Sequence, residues 1–219
     1  MLMKSKIASI NVDPQKGFTP LCPDELPVNE GDQIVPELLA QNALADLIIG
    51  SSDAHCEQAL FRVDKDEEQF KPLDHANTDC TFKMHCRPGT KGFELLDGLP
   101  TATEYDFFVW KGVAPDLHPY GACYHDLAEK LSTGIIEYLV FNNVDTVIVG
   151  GLATDYCVAT TALQLQASQR FDVVLNLAAC RGITPQGVTE KIELMQSQGI
   201  TILQNSHELK KWLANRSAG

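Results

Sequence analysis

The sequence predicts an α/β fold: an open, mostly parallel six-stranded sheet flanked by helices on both faces. Six short runs are nearly continuously apolar and rich in β-branched or aromatic residues, as in strands buried on both faces. Helical patterns fall between several of these runs, and alternating strands and helices build parallel sheets. The 219 residues fit one domain large enough to bury its apolar surface without disulfide staples.

In chain order, "KIASINVD" (6–13) and "ADLIIGSSD" (45–53) read as the first two strands, with "GDQIVPELLAQNALA" (31–45) between them as a helix starting near Pro36. The third strand is "YDFFVWKG" (105–112) and the fourth "DTVIVGG" (145–151). The stretch 121–143 between them reads as a helix broken around Gly134. A helix over 154–169 leads to the fifth strand, "FDVVLNLAA" (171–179). A helix over 184–198, with Thr184 as cap and Pro185 at its first position, leads to the sixth, "GITILQ" (199–204). Residues 54–100 form a long, polar, turn-rich segment, and such a segment in a compact domain carries function or forms a lid.

The net charge of −12 repels phosphate backbones, so nucleic acid is not an expected partner. No apolar run reaches the roughly 20 residues needed to span a bilayer, and "MLMKSKIASINVD" lacks the pattern of a secretory leader. Seven cysteines, an odd number with no C-x-x-C pair, exclude a disulfide scaffold and a zinc ribbon. The expected compartment is the reducing cytoplasm.

Ligands of an open parallel sheet bind beyond the carboxyl ends of its strands. Four of the six strand ends carry chemistry: Asp13, then Asp53 with His55, then Lys111, then Cys157. Cys157 has two readings. It is a small buried core residue, or a nucleophile in the first turn of a helix capped by Thr154 or Asp155, where backbone N–H groups stabilise a thiolate and an oxyanion. Gly150 and Gly151 allow close backbone approach just upstream. A cysteine nucleophile needs a proton acceptor. Asp13 is the candidate base and Lys111 its charge partner, since an unpaired lysine at the mouth of a buried strand is costly. Asp53, His55 and His85 together suit a divalent transition metal with open positions for water. Glu57, Glu67, Glu68 and His75 are further possible ligands.

The set D-x-Q near the start, D-x-H after the second strand, "HCRPGTKGFEL", "KG" after the third strand and "GLATDYCVATTA" resembles the isochorismatase-like cysteine hydrolases, and within them the nicotinamidases. The resemblance runs from about residue 6 to residue 200. It implies Asp13, Lys111 and Cys157 as the catalytic set, a cis bond between Leu152 and Ala153, and an oxyanion hole from the N–H groups of Ala153 and Cys157. It implies Asp53, His55 and His85 as metal ligands, with zinc the first choice and iron(II) or manganese(II) next. Gln15 and Phe18 match positions lining the entrance or pocket, and Trp110 is a further candidate for packing the substrate ring. The chain departs from the family pattern at Ala54, at Arg87 and Pro88, and in "LHPYGACYHD" after Lys111.

The activity so implied is hydrolysis of nicotinamide to nicotinate and ammonia through a cysteine thioester, serving NAD salvage. Two alternatives stand beside it. One is a related cysteine amidohydrolase acting on another small amide or a carbamoyl compound, without metal. The other is a non-catalytic binding protein on the same fold. The expected partner is a small-molecule amide, with homo-oligomer formation left open.

Overall fold

The computed structural model describes residues 6–217. The segment read for a secretory leader therefore lies partly outside the described residues. In chain order the elements are β1 (Lys6–Val12), α1 (Val35–Asn42), β2 (Leu47–Asp53), β3 (Arg62–Val63), β4 (Phe82–Lys83), β5 (Phe107–Lys111), α2 (Ile135–Phe141), β6 (Val144–Leu152), α3 (Ala159–Ala167), β7 (Asp172–Arg181), α4 (Pro185–Ser197), β8 (Thr201–Leu203) and α5 (Ser206–Ser217). Six strands form one sheet in the order β5-β2-β1-β6-β7-β8, and every neighbouring pair is parallel. β3 and β4 make a separate two-stranded ladder inside the long segment.

Alternation along the strands builds both layers. In β6 and β7, Val147, Val149, Val173 and Leu175 point to one face. There they meet Ile135 and Leu139 of α2, Ala159, Ala162 and Leu165 of α3, and Met195 of α4. Ile148 and Val174, between them in sequence, point to the other face and meet Leu209 and Trp212 of α5. Burying each such aliphatic side chain contributes about 1.5–3 kcal/mol. α4 starts as its sequence dictates: Pro185 stands in the first turn and Thr184 Oγ1 accepts a hydrogen bond from the Gly187 N–H.

One expectation needs correction. The stretch before α2 is not helical. The Ala122 N–H donates to Thr161 Oγ1 and the Cys123 N–H to Gln164 Oε1, while Asp126 Oδ1 accepts from the Lys130 and Leu131 N–H groups. Side chains satisfy this backbone, so it has no need of a helical ladder. The first helix starts near Pro36 as expected: α1 begins at Val35 with Pro36 in its first turn, after a tight 3₁₀ turn over Gly31–Ile34.

The strand order reverses direction between β1 and β6, and the cleft of an open sheet lies at such a point. Register fixes what faces it. Val12 pairs with Gly151, and Asp53 pairs with Lys111. Asp13, Asp53 and Lys111 therefore crowd one edge of the sheet, next to the turn that follows β6.

Candidate active site

Lys111 is the hub. It ends β5, and alternation turns it inward beside buried Val109 while Trp110 between them faces out. Its side chain is wholly buried. Nζ lies 3.0 Å from Asp13 Oδ2, 2.5 Å from Asp53 Oδ1, 3.3 Å from the Pro119 carbonyl oxygen and 3.6 Å from Cys157 Sγ. Burial alone would drive an ammonium to give up its proton, but the two carboxylates outweigh that and hold the Lys111 pKa well above its usual range.

Asp13 follows β1 with φ of 43°, a left-handed conformation that aspartate tolerates better than most residues. Its Oδ1 accepts a hydrogen bond from Ser51 Oγ at 2.7 Å. Burial raises its pKa to about 6, against the opposing pull of Lys111. Burial also acts to raise the Asp53 pKa, but Lys111 and His55 beside it hold that carboxyl well below the usual range. The two acids are thus split, one poised near neutrality and one firmly ionised.

Cys157 is buried, 5 % exposed, in a π-helical turn (Thr154–Val158) that leads into α3. One ligand-capable atom each from Asp13, Asp53 and Cys157 lies within 4.8 Å of the others. Neither Thr154 nor Asp155 caps this turn; Ala153 precedes it. Asp155 instead accepts hydrogen bonds from the Ile183 and Thr184 N–H groups and ties the turn to the start of α4. The expected thiolate at a helix start is also corrected: burial pushes the Cys157 thiol well up, with Lys111 lowering it and both carboxylates raising it. The resting group is a thiol that must hand its proton to a base. The Leu152–Ala153 bond is cis. Gly151, with φ of 137°, stands where a Cβ would lie 2.0 Å from the Val12 carbonyl oxygen, so glycine is required there.

Beside this cluster stand three buried imidazoles, of His55, His85 and His118, each offering a nitrogen within 4.8 Å of the other two. His55 Nδ1 faces the Gly112 carbonyl oxygen at 3.2 Å, and His85 Nδ1 faces the Lys83 carbonyl oxygen at 2.8 Å. Gly112 must lack a side chain, since its φ is 69° and a Cβ would strike the His55 ring. His55 Nε2 and His118 Nδ1 are buried with no hydrogen-bond partner. Buried ring nitrogens seldom go unpaired, and backbone-anchored imidazoles converging on one point suit a divalent metal. Burial holds the His85 pKa down to about 3 and that of His118 well below its usual value, so both are neutral donors.

The sequence singled out His55, His85 and Asp53 but missed His118, in the loop after β5. Asp53 sits between the two groups: Oδ1 touches Lys111 and lies 3.6 Å from His55 Nε2. The other suggested ligands are elsewhere. Glu57 pairs with Arg62 and Arg87, Glu67 and Glu68 lie on a peripheral 3₁₀ turn, and His75 is exposed.

A cavity opens over Cys157, Ala153, Asp53, His85 and His118. Phe18, Phe82, Tyr120 and Tyr156 supply aromatic walls. Phe18 is where the sequence reading placed it, whereas the other three rings were not foreseen. Two pocket assignments are corrected. Trp110 is half exposed, packs edge-on against Phe93 and borders a separate outer groove. Gln15 is fully buried and clamps the end of β2: its Nε2 donates to the Asp53 carbonyl and its Oε1 accepts the Asp53 N–H. It positions Asp53 rather than lining the cavity.

Residues 8–206 match the isochorismatase domain. A nicotinamidase of Acinetobacter baylyi is 31% identical over 194 residues, covering 85% of this chain and 86% of that protein. Among solved structures, an Acinetobacter baumanii nicotinamidase and pyrazinamidase superposes with a TM-score of 0.81 at 29% identity, over 94% of this chain and 99% of the other. The pyrazinamidase of Pyrococcus horikoshii in complex with zinc superposes with a TM-score of 0.70 at 31% identity, over 90% and 98%. The all-parallel sheet, the cluster at its carboxyl edge and the extent of these matches agree: this chain belongs to the isochorismatase family.

Proposed function

We propose that this chain is a nicotinamidase: an amidohydrolase that converts nicotinamide to nicotinate and ammonia, serving NAD salvage in the cytoplasm. The observation that carries the reading is the buried Asp13–Lys111–Cys157 cluster on the wall of an aromatic cavity, in a chain 31% identical to a nicotinamidase over most of its length.

The geometry supports a sequence of steps. Asp13, ionised near neutral pH, takes the proton of Cys157. Lys111 is the fixed positive charge that steadies the emerging thiolate at 3.6 Å. The thiolate attacks the amide carbonyl, and the N–H groups of Ala153 and Cys157 hold the oxyanion. Asp13 returns the proton to the departing amine, and ammonia leaves. Water, deprotonated by Asp13, then attacks the thioester; the C–S bond breaks, Asp13 hands its proton to the departing sulfur to restore the thiol, and the acid leaves as nicotinate with its own proton lost to solvent. Phe18, Phe82, Tyr120 and Tyr156 flank a flat ring and exclude bulk water.

A divalent metal, with zinc first, belongs to this reading, held by His55 and His85 with Asp53 alongside. It would supply a Lewis acid that orients a ring nitrogen or a water at the cavity wall. The test is ammonia release from a panel of amides, with and without a chelator. The reading expects nicotinamide and pyrazinamide to be preferred over benzamide, which has no ring nitrogen, and expects chelation to erase the preference. Equal rates on all three, unchanged by chelator, would replace it with a metal-independent amidohydrolase.

A further inference from the structure

The residues that line the catalytic cavity are buried except Tyr120, Tyr156 and Ile183, which are half-buried and mark its mouth. Tyr120 and Tyr156 also border a second hollow on the outer surface, together with Asp79, Cys80 and Glu190. The two rings therefore divide the cavity from the outside. Their centroids are 5.6 Å apart. A flat ring passing between two others needs about 7 Å, twice a carbon–carbon contact distance. One of the two must move for a substrate ring to reach Cys157.

Tyr156 is held in the π-helical turn beside Cys157, which Asp155 ties to the start of α4. The backbone around Tyr120 is pinned as well. The His118 N–H donates to the Asn77 carbonyl oxygen, and Thr78 Oγ1 donates to the Asp116 carbonyl oxygen. The Pro119 carbonyl oxygen accepts from Lys111 Nζ, and the Ala122 N–H donates to Thr161 Oγ1. The loop that carries Asp79 and the loop that carries Tyr120 thus form one piece, and what is left to move is the Tyr120 side chain. Its ring packs edge-on against Phe82 and His118. Its hydroxyl donates to Asp79 Oδ1 at 2.6 Å. Asp79 is exposed and borders the outer hollow, so this bond can exchange for water while the buried ties between the loops stay made.

We propose that Asp79 is a positioning residue that latches Tyr120 across the mouth of the cavity, and that substrate passes between Tyr120 and Tyr156 when the phenol leaves Asp79 and swings into the outer hollow. This rests on the reading of the cavity as the amide site. The latch sets what enters: a flat ring amide slides edge-on through the gap that one side-chain rotation opens, whereas a substrate with bulk above and below its ring does not.

The experiment measures how fast Cys157 is alkylated by N-phenyliodoacetamide, a reagent that carries a flat ring, with each cysteine followed by peptide mass spectrometry. The proteins are the native chain, Asp79→Ala, Tyr120→Phe and Asp74→Ala, an exposed control on the same loop. Far-UV circular dichroism checks the fold of each. Releasing the latch should raise the Cys157 rate about three- to tenfold in Asp79→Ala and in Tyr120→Phe, the scale of one partly exposed hydrogen bond. Asp74→Ala should label as the native chain does. Cys123 and Cys180, buried in the core, report general loosening, and their rates should not change. An unchanged Cys157 rate in both latch variants would overturn the proposal, and so would an acceleration that Cys123 and Cys180 share. The readout needs no turnover. If the variants label as expected but the native chain releases no ammonia from nicotinamide, the proposed activity fails and the latch stands.

Discussion

Lys111 Nζ and Asp13 Oδ2 lie 3.0 Å apart with both side chains wholly buried. Asp13 follows β1 and Lys111 ends β5, the two strands that flank β2 in an all-parallel sheet, so the fold sets the pair's geometry. Removing one partner from a buried pair leaves an uncompensated charge and costs about 3–5 kcal/mol. Lys111→Met should therefore lose both stability and activity, because it strands Asp53 as well as Asp13. Asp13→Asn should lose activity by orders of magnitude with a smaller stability loss, because Asp53 still pairs with Lys111. The double mutant should be hardly less active than the worse single mutant, since the groups act as a unit. Steady-state rates and thermal melts of the three variants check this, and additive losses of activity would place the residues in separate functions.

The pH profile follows from Asp13. It must be ionised to accept the thiol proton, and burial raises its pKa to about 6. The value of kcat/KM should rise as pH increases through about 6 and level off above it, because the rate tracks the ionised fraction of the free enzyme. An acidic limb centred near 4, the range of an ordinary carboxyl, would mean that the base is some other, solvated group.

The aromatic walls make a sharper contrast. Trp110 lies outside the cavity, so Trp110→Ala should change KM for nicotinamide by less than about twofold, in line with the small effects of exposed substitutions. Phe18→Ala and Tyr156→Ala remove rings that line the cavity and should raise KM about tenfold or more, the scale of about 1.4 kcal/mol of lost contact. A large KM effect from Trp110→Ala with none from Phe18→Ala would relocate the substrate to the outer groove.

These residues also mark how far the sequence could be read. Six strands were legible because buried parallel strands are apolar along their whole length, and Asp13, Lys111 and Cys157 were legible because each follows such a run. β3 and β4 have two residues each, too short to show a period. α5 is a largely polar segment and stays on the protein through Leu209 and Trp212. His118 escaped because "DLHPYG" has no periodicity, and only the chain's return over the cavity brings the ring to His55 and His85. Trp110 was misplaced because a residue next to Lys111 in a strand faces the opposite way.

The central claim is that Cys157 becomes covalently acylated by nicotinamide. Mixing native protein with excess nicotinamide, quenching in acid within the first turnovers and mapping peptides by mass spectrometry tests it most directly. The account predicts a nicotinoyl thioester on the peptide containing Cys157, ammonia released in step with it, and neither signal in Cys157→Ala. Ammonia release in Cys157→Ala at the native rate, or acylation of a different cysteine, would contradict it.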